Sequence, residues 1–337
     1  MNALFPAEGR ALDLVPVGRV AVDLNPTDYN RPLSQSQHFN KYLGGSPANI
    51  AVGAARLGLR VGFLGKISND AMGDFVADFF RREGIDLSHL TRAKNGESLG
   101  LTFTEILSPT QSSILMYREG VADLALDPGD VDEAYVASTR ALLVSGTALS
   151  ASPSREACFK ALAYARRHET CVIFDADYRA YTWKSKDEVA VYTSLAARQS
   201  DILLGSREEF DLMERLLGLP GTDEASADYW LSRGAKLLVI KHGKEGSYAY
   251  APGERYRVRP FPVEALKGFG GGDGYASAFL AGLMDGLPLP QALEMGSASA
   301  AMLVASHACS RDMPTREALD AFIAEIKAVH GGVVSAL

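Results

Sequence analysis

Cysteine is scarce in this chain. Cys158, Cys171 and Cys309 are its whole supply in 337 residues, and no two of them form a C-x-x-C pair. That excludes a disulfide framework and a cysteine-built zinc site, and it suits a reducing cytosol. Positive charge is also in deficit: the formal net charge is −7, which argues against nucleic acid or an anionic membrane surface as the main partner. Long hydrophobic runs are missing. The most apolar late stretch, 295–305, is too short and too rich in serine to span a bilayer. The opening MNALFPAEGRALDL has neither a basic n-region nor an apolar h-region, so a soluble, cytoplasmic protein is expected. No internal repeat, low-complexity tract or long linker is visible. No G-x-G-x-x-G follows the first apolar run, where GRVAVD stands instead, which weakens a dinucleotide-dependent oxidoreductase.

What is present is the composition of an ordinary globular protein, 47% hydrophobic and 22% charged. The length fits one large α/β domain with a small accessory element, and such a chain can bury a sizeable core without disulfides or a structural metal. Apolar runs at 14–24, 60–67, 141–146, 170–177, 201–205 and 235–243 predict strands, several of them apolar on successive residues as in strands buried on both faces. Between them, Ser46-Pro47 reads as an N-cap followed by proline, and 73–84 is amphipathic and ends on Gly84. Strand then helix, repeated, predicts a mostly parallel sheet with helices on both faces. Two excursions break the rhythm: polar residues 25–43, and the hairpin-like 96–121. They are expected to meet as a small β lid over a core formed by 11–24, 44–95 and 122–330, on the sheet edge where α/β ligand sites lie.

The chemistry concentrates in LKGFGGGDGYASAFLAGL, 266–283. Gly270, Gly271 and Gly272 run into a helix whose apolar face is Ala276, Phe279, Leu280 and Leu283. Glycines there let backbone N–H groups approach an anion, and the helix N-terminus adds its positive dipole end. Asp273 stands at the mouth of this cradle, as a positioned base for phosphoryl transfer or simply as a helix cap. A second glycine pair, Gly44 and Gly45, precedes Asn49 at the entry of an alanine-rich helix, and Asp23 and Asn25 lie where the first strand run ends. These suit sugar hydroxyls, although each alone is as well read as a turn or cap residue.

G-R-V-A-V-D at 18–23, G-G-S-P-A-N at 44–49 and G-G-G-D at 270–273 occur in order, and together they resemble the ribokinase-like (PfkB) family of carbohydrate kinases over nearly the whole chain. The resemblance implies a three-layer α/β/α core with a β-sheet lid, ATP and Mg²⁺ as donor system, and phosphorylation of a primary sugar hydroxyl. It implies Asp273 as catalytic base, Gly270, Gly271 and Gly272 as the anion hole, and Asp23, Gly44, Gly45 and Asn49 as sugar contacts. In ILLGSREEF, Glu209 falls on the family's glutamate acting through water on Mg²⁺, with Glu208 adjacent and Ser206 in place of an asparagine. Lys241 and Gly243 fall near ATP. Two departures stand before the glycine motif: Lys267 replaces an aspartate and Phe269 a threonine. That region often shapes a monovalent-cation site in the family, so potassium activation is not implied here. Dimers through the lid are common in the family, so a homodimer is expected by resemblance.

A sugar-acid substrate needs a cation for its carboxylate. Arg118, in MYREG, and Arg179, in FDADYRAYTW, are the leading candidates, with Lys41 and Arg31 behind them. The D-x-D-x-R run resembles the sugar-acid branch of the family. GRVAVDLNPTDYNRPL, VSGTALSASPSREA, GSREEFDLME and SHACSRDMPTREAL resemble the kinases of that branch that act in myo-inositol breakdown. Kinases of 2-dehydro-3-deoxygluconate or of neutral sugars, and a non-catalytic sensor of sugar or nucleotide, remain the alternatives.

Overall fold

The chain does not run its first apolar stretch as one strand. In the computed structural model, which describes residues 4–6, 9–108 and 111–337, β1 (Leu12–Val17) ends at Gly18, and β2 (Ala21–Pro26) leaves for a different sheet. The expected strand over 14–24 is therefore two strands. Gly18 has φ +129°, and a Cβ there would stand 2.9 Å from that of Ala148, so only glycine turns the chain at this point. Parts of the N-terminal stretch and of the 96–121 excursion (1–3, 7–8 and 109–110) lie outside the described residues.

From β2 the chain passes through β3 (Phe39–Gly44) into α1 (Ser46–Arg56). The cap of α1 is Gly45, not the expected Ser46, whose hydroxyl is thereby free for other work. The expected strand at 60–67 is reduced to β4 (Gly65–Ile67); the rest meets β1 only through isolated bridges, Leu14 with Val61 and Val17 with Leu64. Next come α2 (Ala71–Arg82), capped by Asp70, then β5 (Leu90–Arg92), β6 (Gly100–Ser108) and β7 (Gln111–Tyr117). The repeating strand–helix region holds α3 (Glu133–Ala137), β8 (Thr139–Ser145), α4 (Ser154–Arg167), β9 (Cys171–Asp175), α5 (Lys186–Ala197), β10 (Ile202–Ser206), α6 (Arg207–Glu214), α7 (Asp223–Ser232) and β11 (Leu237–Lys241). The hairpin β12 (Ser247–Ala251) and β13 (Glu254–Val258), helices α8 (Gly271–Met284), α9 (Leu289–Val304) and α10 (Arg316–His330), and β14 (Val334–Ala336) complete it.

Among the described residues these strands form an eight-stranded sheet, β1-β8-β9-β10-β11-β12-β13-β14, parallel as far as β11 and antiparallel beyond it. Side chains alternate across its interior. Ala141, Leu143 and Ile173 join α1, α8 and α9 in one apolar cluster, while Leu142, Val144 and Phe174 join α4, α5, α6 and α7 in another. This is the three-layer α/β/α arrangement. A four-stranded sheet, β3-β2-β6-β7, stands apart from it, and β4 pairs β5 alone. All three cysteines are buried and unpaired, and among the described residues no helix is long and apolar enough to cross a membrane.

Helices α1 and α8 approach closely because Gly53 faces Ser277; a Cβ at Gly53 would lie 2.4 Å from the Ser277 Oγ. Gly53→Leu should therefore lower stability by about 1–3 kcal/mol through overpacking. Chemical denaturation checks this, and an unchanged midpoint would contradict so close an approach.

Candidate active site

The C-terminal ends of β9, β10 and β11 deliver Asp175, Ser206 and Lys241 to one edge of the main sheet, where α8 also begins. A cleft of about 450 Å³ opens there, with Asp175, Arg179, Glu209, Lys241, Gly272 and Asp273 among its walls. Gly270 caps α8 with φ +85°, a left-handed conformation, and a Cβ on it would fall 2.5 Å from the Cys309 Sγ. Glycine is thus required twice over. Gly274 N–H donates to the Gly270 carbonyl at 3.2 Å, so the amides of Gly271, Gly272 and Asp273 are first-turn donors without an intrahelical acceptor. Lys241 Nζ lies 3.5 Å from where a Gly272 Cβ would be, adding a formal positive charge beside these dipoles.

Asp273 is clamped from α1. Ser46 Oγ donates to its Oδ1 and Asn49 Nδ2 to its Oδ2, both at 2.7 Å. Burial raises the Asp273 pKa above its ordinary value and the Asp177 charge adds to that, while the Asn49 and Ser46 bonds and Arg179 oppose it. Asp175 is likewise lifted, by burial first and by its acidic neighbours, against the pull of Lys241, whose Nζ stands 3.9 Å away. Burial works against the Asp177 charge too, but Arg179, Arg19 and the hydroxyls of Ser145 and Thr147 outweigh it and hold that carboxyl low. Lys241, surrounded by Asp175, Glu209 and Asp273, is held above its ordinary value despite burial.

Other residues singled out in the sequence take varied places. Asn49, a sugar contact by resemblance, donates one amide N–H to Asp273, and its Oδ1 has no hydrogen-bond partner. Gly44 makes room for Asp23, since a Cβ there would fall on the Asp23 carboxylate, and a Cβ on Gly45 would lie 2.6 Å from the Arg19 carbonyl oxygen. Asp23 Oδ1 is buried without a partner, and burial raises its pKa against the pull of Arg19. Asn25 is structural: it donates to the His307 carbonyl at 2.8 Å and accepts from Thr104 at 2.8 Å. Ser206 and Glu209 form a reciprocal capping box on α6, and the second Glu209 oxygen accepts from Tyr178 N–H at 2.8 Å. The serine thus has a capping reason of its own, and Glu209 still faces the cleft, whereas Glu208 is exposed. Gly243 sits in the turn between β11 and β12, with φ +56°, and is not part of the cleft wall.

Of the arginines, Arg179 lines the cleft and pairs with Asp177 at 2.8 Å. Arg118 does not line it. Its guanidinium forms an interior ion pair with Asp123 at 2.6 Å and donates to the Thr147 carbonyl at 3.2 Å, leaving Nε and Nη1 without hydrogen-bond partners. Lys41 lies over the Phe75 ring, and Arg31 pairs with Asp28 on the surface, so neither faces the cleft. Sequence reasoning passed over Arg19, which is buried, donates to Thr102 at 2.9 Å and interacts electrostatically with Asp23, Asp177 and Arg118. It also passed over Ser112, which brings β7 of the small sheet to the cleft and accepts from Gly268 N–H at 3.2 Å. The G-R-V-A-V-D run contains Arg19, whereas no motif in the sequence singles out Ser112.

The site suits Mg²⁺ carried by a nucleotide. Asp175 is a buried carboxylate compensated only by long contacts, the Ser46 hydroxyl at 3.5 Å and the Lys241 ammonium at 3.9 Å, and Glu209 stands on the same cleft. Among the described residues no group of three or more ligating side chains forms a self-sufficient metal cage. Mg²⁺ typically takes one or two carboxylates and completes its shell with water and phosphate.

A curated relative from Clostridium perfringens, named 5-dehydro-2-deoxygluconokinase, is 62% identical over 329 residues and covers 97% of each chain. The crystal structure of a PfkB protein from Polaromonas superposes with a TM-score of 0.81 at 30% identity, covering 92% of this chain and all of that one. A putative ribokinase II from E. coli, solved with ATP and Mg²⁺, shares the fold at a TM-score of 0.83 and 22% identity, over 93% of this chain and 99% of its own. The family model described as pfkB family carbohydrate kinase matches residues 11–316, and the chain belongs to that family.

Proposed function

We propose that the protein transfers the γ-phosphoryl group of ATP to the 6-hydroxyl of 5-dehydro-2-deoxy-D-gluconate, with Asp273 as general base. The observation that carries this reading is the Asp273 carboxylate, oriented by Ser46 and Asn49, beside the unpaired amides of α8 and facing the cleft shared with Lys241 and Arg179. The substrate assignment is supported by the Clostridium relative, which is named for that activity.

In this reading Asp273 accepts the hydroxyl proton as the sugar oxygen attacks the γ-phosphorus in line. Gly270–Gly272 shape the anion hole, and the amides of residues 271–273 with the Lys241 ammonium meet the charge that develops on the transferring group. Mg²⁺ held by Asp175 and, through water, by Glu209 would neutralise phosphate charge. Arg179 takes the substrate carboxylate, with Arg19 and Arg118 supplying positive potential from behind; Asp23, Gly44 and Gly45 shape the sugar pocket. The small sheet, carrying the 25–43 and 96–121 segments, acts as the lid that excludes water, and Ser112 against Gly268 supports its closure over the anion loop. Exposed Leu115 and Tyr117 on β7 support a homodimer through that sheet. A cytoplasmic setting suits three buried free thiols.

The direct test is coupled ADP release with Mg²⁺-ATP against 5-dehydro-2-deoxygluconate, 2-dehydro-3-deoxygluconate, fructose and ribose. Preference for the first is expected; preference for another moves the substrate, and silence on all four would support a sensor. Asp273→Asn should lower turnover by roughly two to four orders of magnitude. Near-normal turnover would remove Asp273 from the base role. Because the raised Asp273 pKa must be exceeded before the base is free, kcat/KM should fall as pH drops through a limb lying above the ordinary 3.8. Asn49→Ala removes a bond that favours the carboxylate, so this limb should move to higher pH; a move to lower pH would contradict the clamp. Arg179→Ala should raise KM for sugar acids and leave neutral sugars little changed, and equal losses on both would assign Arg179 to the phosphates instead.

A further inference from the structure

Lys267 is a charged residue in a place where charge is costly. Its side chain is fully buried, and its Nζ donates to a carbonyl, that of Ala308, at 2.6 Å rather than to a carboxylate. Asp312, a nearby acid, is already committed to Ala308 N–H at 2.8 Å and to Arg311 at 3.1 Å. The Lys267 Nζ also stands 5.2 Å from the Phe269 ring centroid. Burial pushes the Lys267 pKa below its ordinary value, opposed by the neighbouring Cys309, Asp312 and Asp23. An ammonium with so little direct compensation does not help folding, so its position calls for another account.

That position is the back of the anion loop. Leu266 and Lys267 N–H both donate to the Val304 carbonyl, at 2.8 and 3.1 Å, and the Lys267 Cε lies 3.8 Å from the place a Gly270 Cβ would take. The segment it grips, which follows α9, is itself fastened to the small sheet: His307 accepts from Asn25 through its carbonyl, bonds the Tyr42 hydroxyl at 2.9 Å and reaches the Pro26 carbonyl at 2.9 Å. One ammonium therefore sits where the anion loop, the post-α9 segment and the small sheet meet. Its field falls on the loop from the side opposite the incoming negative charge, where fixed charge in a dry site acts most strongly.

We propose that Lys267 is a positioning residue for phosphoryl transfer, its buried ammonium serving as a tethered monovalent cation that sets the Gly268–Gly270 loop against the post-α9 segment, so that the reaction needs no dissociable one. An ammonium and a potassium ion carry the same charge and are of similar size, and carbonyl oxygens satisfy both, accepting N–H bonds from the one and coordinating the other. The tethered form is always in place, without the entropic cost of capturing an ion. The inference rests on the phosphotransfer reading above.

The test measures kcat and KM in matched sodium, potassium and ammonium chloride, using whichever sugar in the panel gives the fastest ADP release. Wild-type turnover should be equal in all three salts. Lys267→Met, which keeps the bulk and removes the charge, should lose about 10²-fold in kcat with little change in sugar KM, and no salt should restore it. Lys267→Ala, which leaves a space, should lose as much in sodium and recover in ammonium or potassium. Wild-type activation by potassium over sodium would overturn the proposal, as would folded variants with near-normal kcat or an alanine variant that no cation rescues. If the variants do not fold, the wild-type salt series decides alone. If no sugar is turned over, which counts against the phosphotransfer reading itself, calorimetric Mg²⁺-ATP binding replaces turnover. Binding equal in the three salts then supports the tethered cation, and potassium-dependent binding overturns it.

Discussion

The packing of α1 against α8 is the constraint on which the site depends. Two helices that begin at the same sheet edge can cooperate only if their first turns adjoin. The absence of a side chain at Gly53, facing Ser277, permits that approach. With the spacing set, Ser46 and Asn49 reach both oxygens of Asp273, and the carboxylate is held in one orientation before any ligand arrives. Gly45 contributes by capping α1 itself, so that Ser46 spends its hydroxyl on Asp273 and not on its own helix. Preorganisation of this kind, rather than the mere presence of an acid, is what general-base chemistry requires.

The electrostatics follow from the same geometry. Asp175, Asp177 and Asp273 share one cleft with Glu209, and burial alone would drive the three aspartates toward protonation. Each is treated differently. Asp177 is kept ionised by Arg179 and two hydroxyls, Glu209 accepts from the backbone amides of Ser206 and Tyr178, and Asp175 and Asp273 are left raised. Environments that push neighbouring carboxyls apart in pKa separate structural acids from reactive ones. Lys241 and the α8 amides then supply the positive side on which phosphate oxygens can rest.

Much of this was legible in the sequence, for identifiable reasons. The glycine run before α8 and the helical spacing of Ala276, Phe279, Leu280 and Leu283 are local signals, and the structure places a helix on them with Gly270 in a left-handed cap. The buried parallel strands announced themselves as continuous apolar runs. The break at Gly18 did not, because apolar residues flank Gly18-Arg19 on both sides in VPVGRVAVDL and only the close approach of Ala148, remote in sequence, shows why the chain must turn there. Arg118 and Arg19 illustrate the same limit. Whether an arginine faces a ligand or an interior aspartate depends on partners such as Asp123 and Thr102, which no spacing rule picks out. Asn49 stands out in the sequence after a glycine pair at the entry of a helix, but nothing local points to Asp273, which accepts from its amide and lies more than two hundred positions away.

If the α1 clamp acts through Asp273 and not through general stability, Asn49 and Asp273 must be coupled in catalysis. A double-mutant cycle on kcat/KM between Asn49→Ala and Asp273→Asn tests it most directly. Asn49→Ala is expected to reduce kcat/KM in the wild-type background and to do nothing further once Asp273 is asparagine. Losses that multiply independently in the double variant would contradict it.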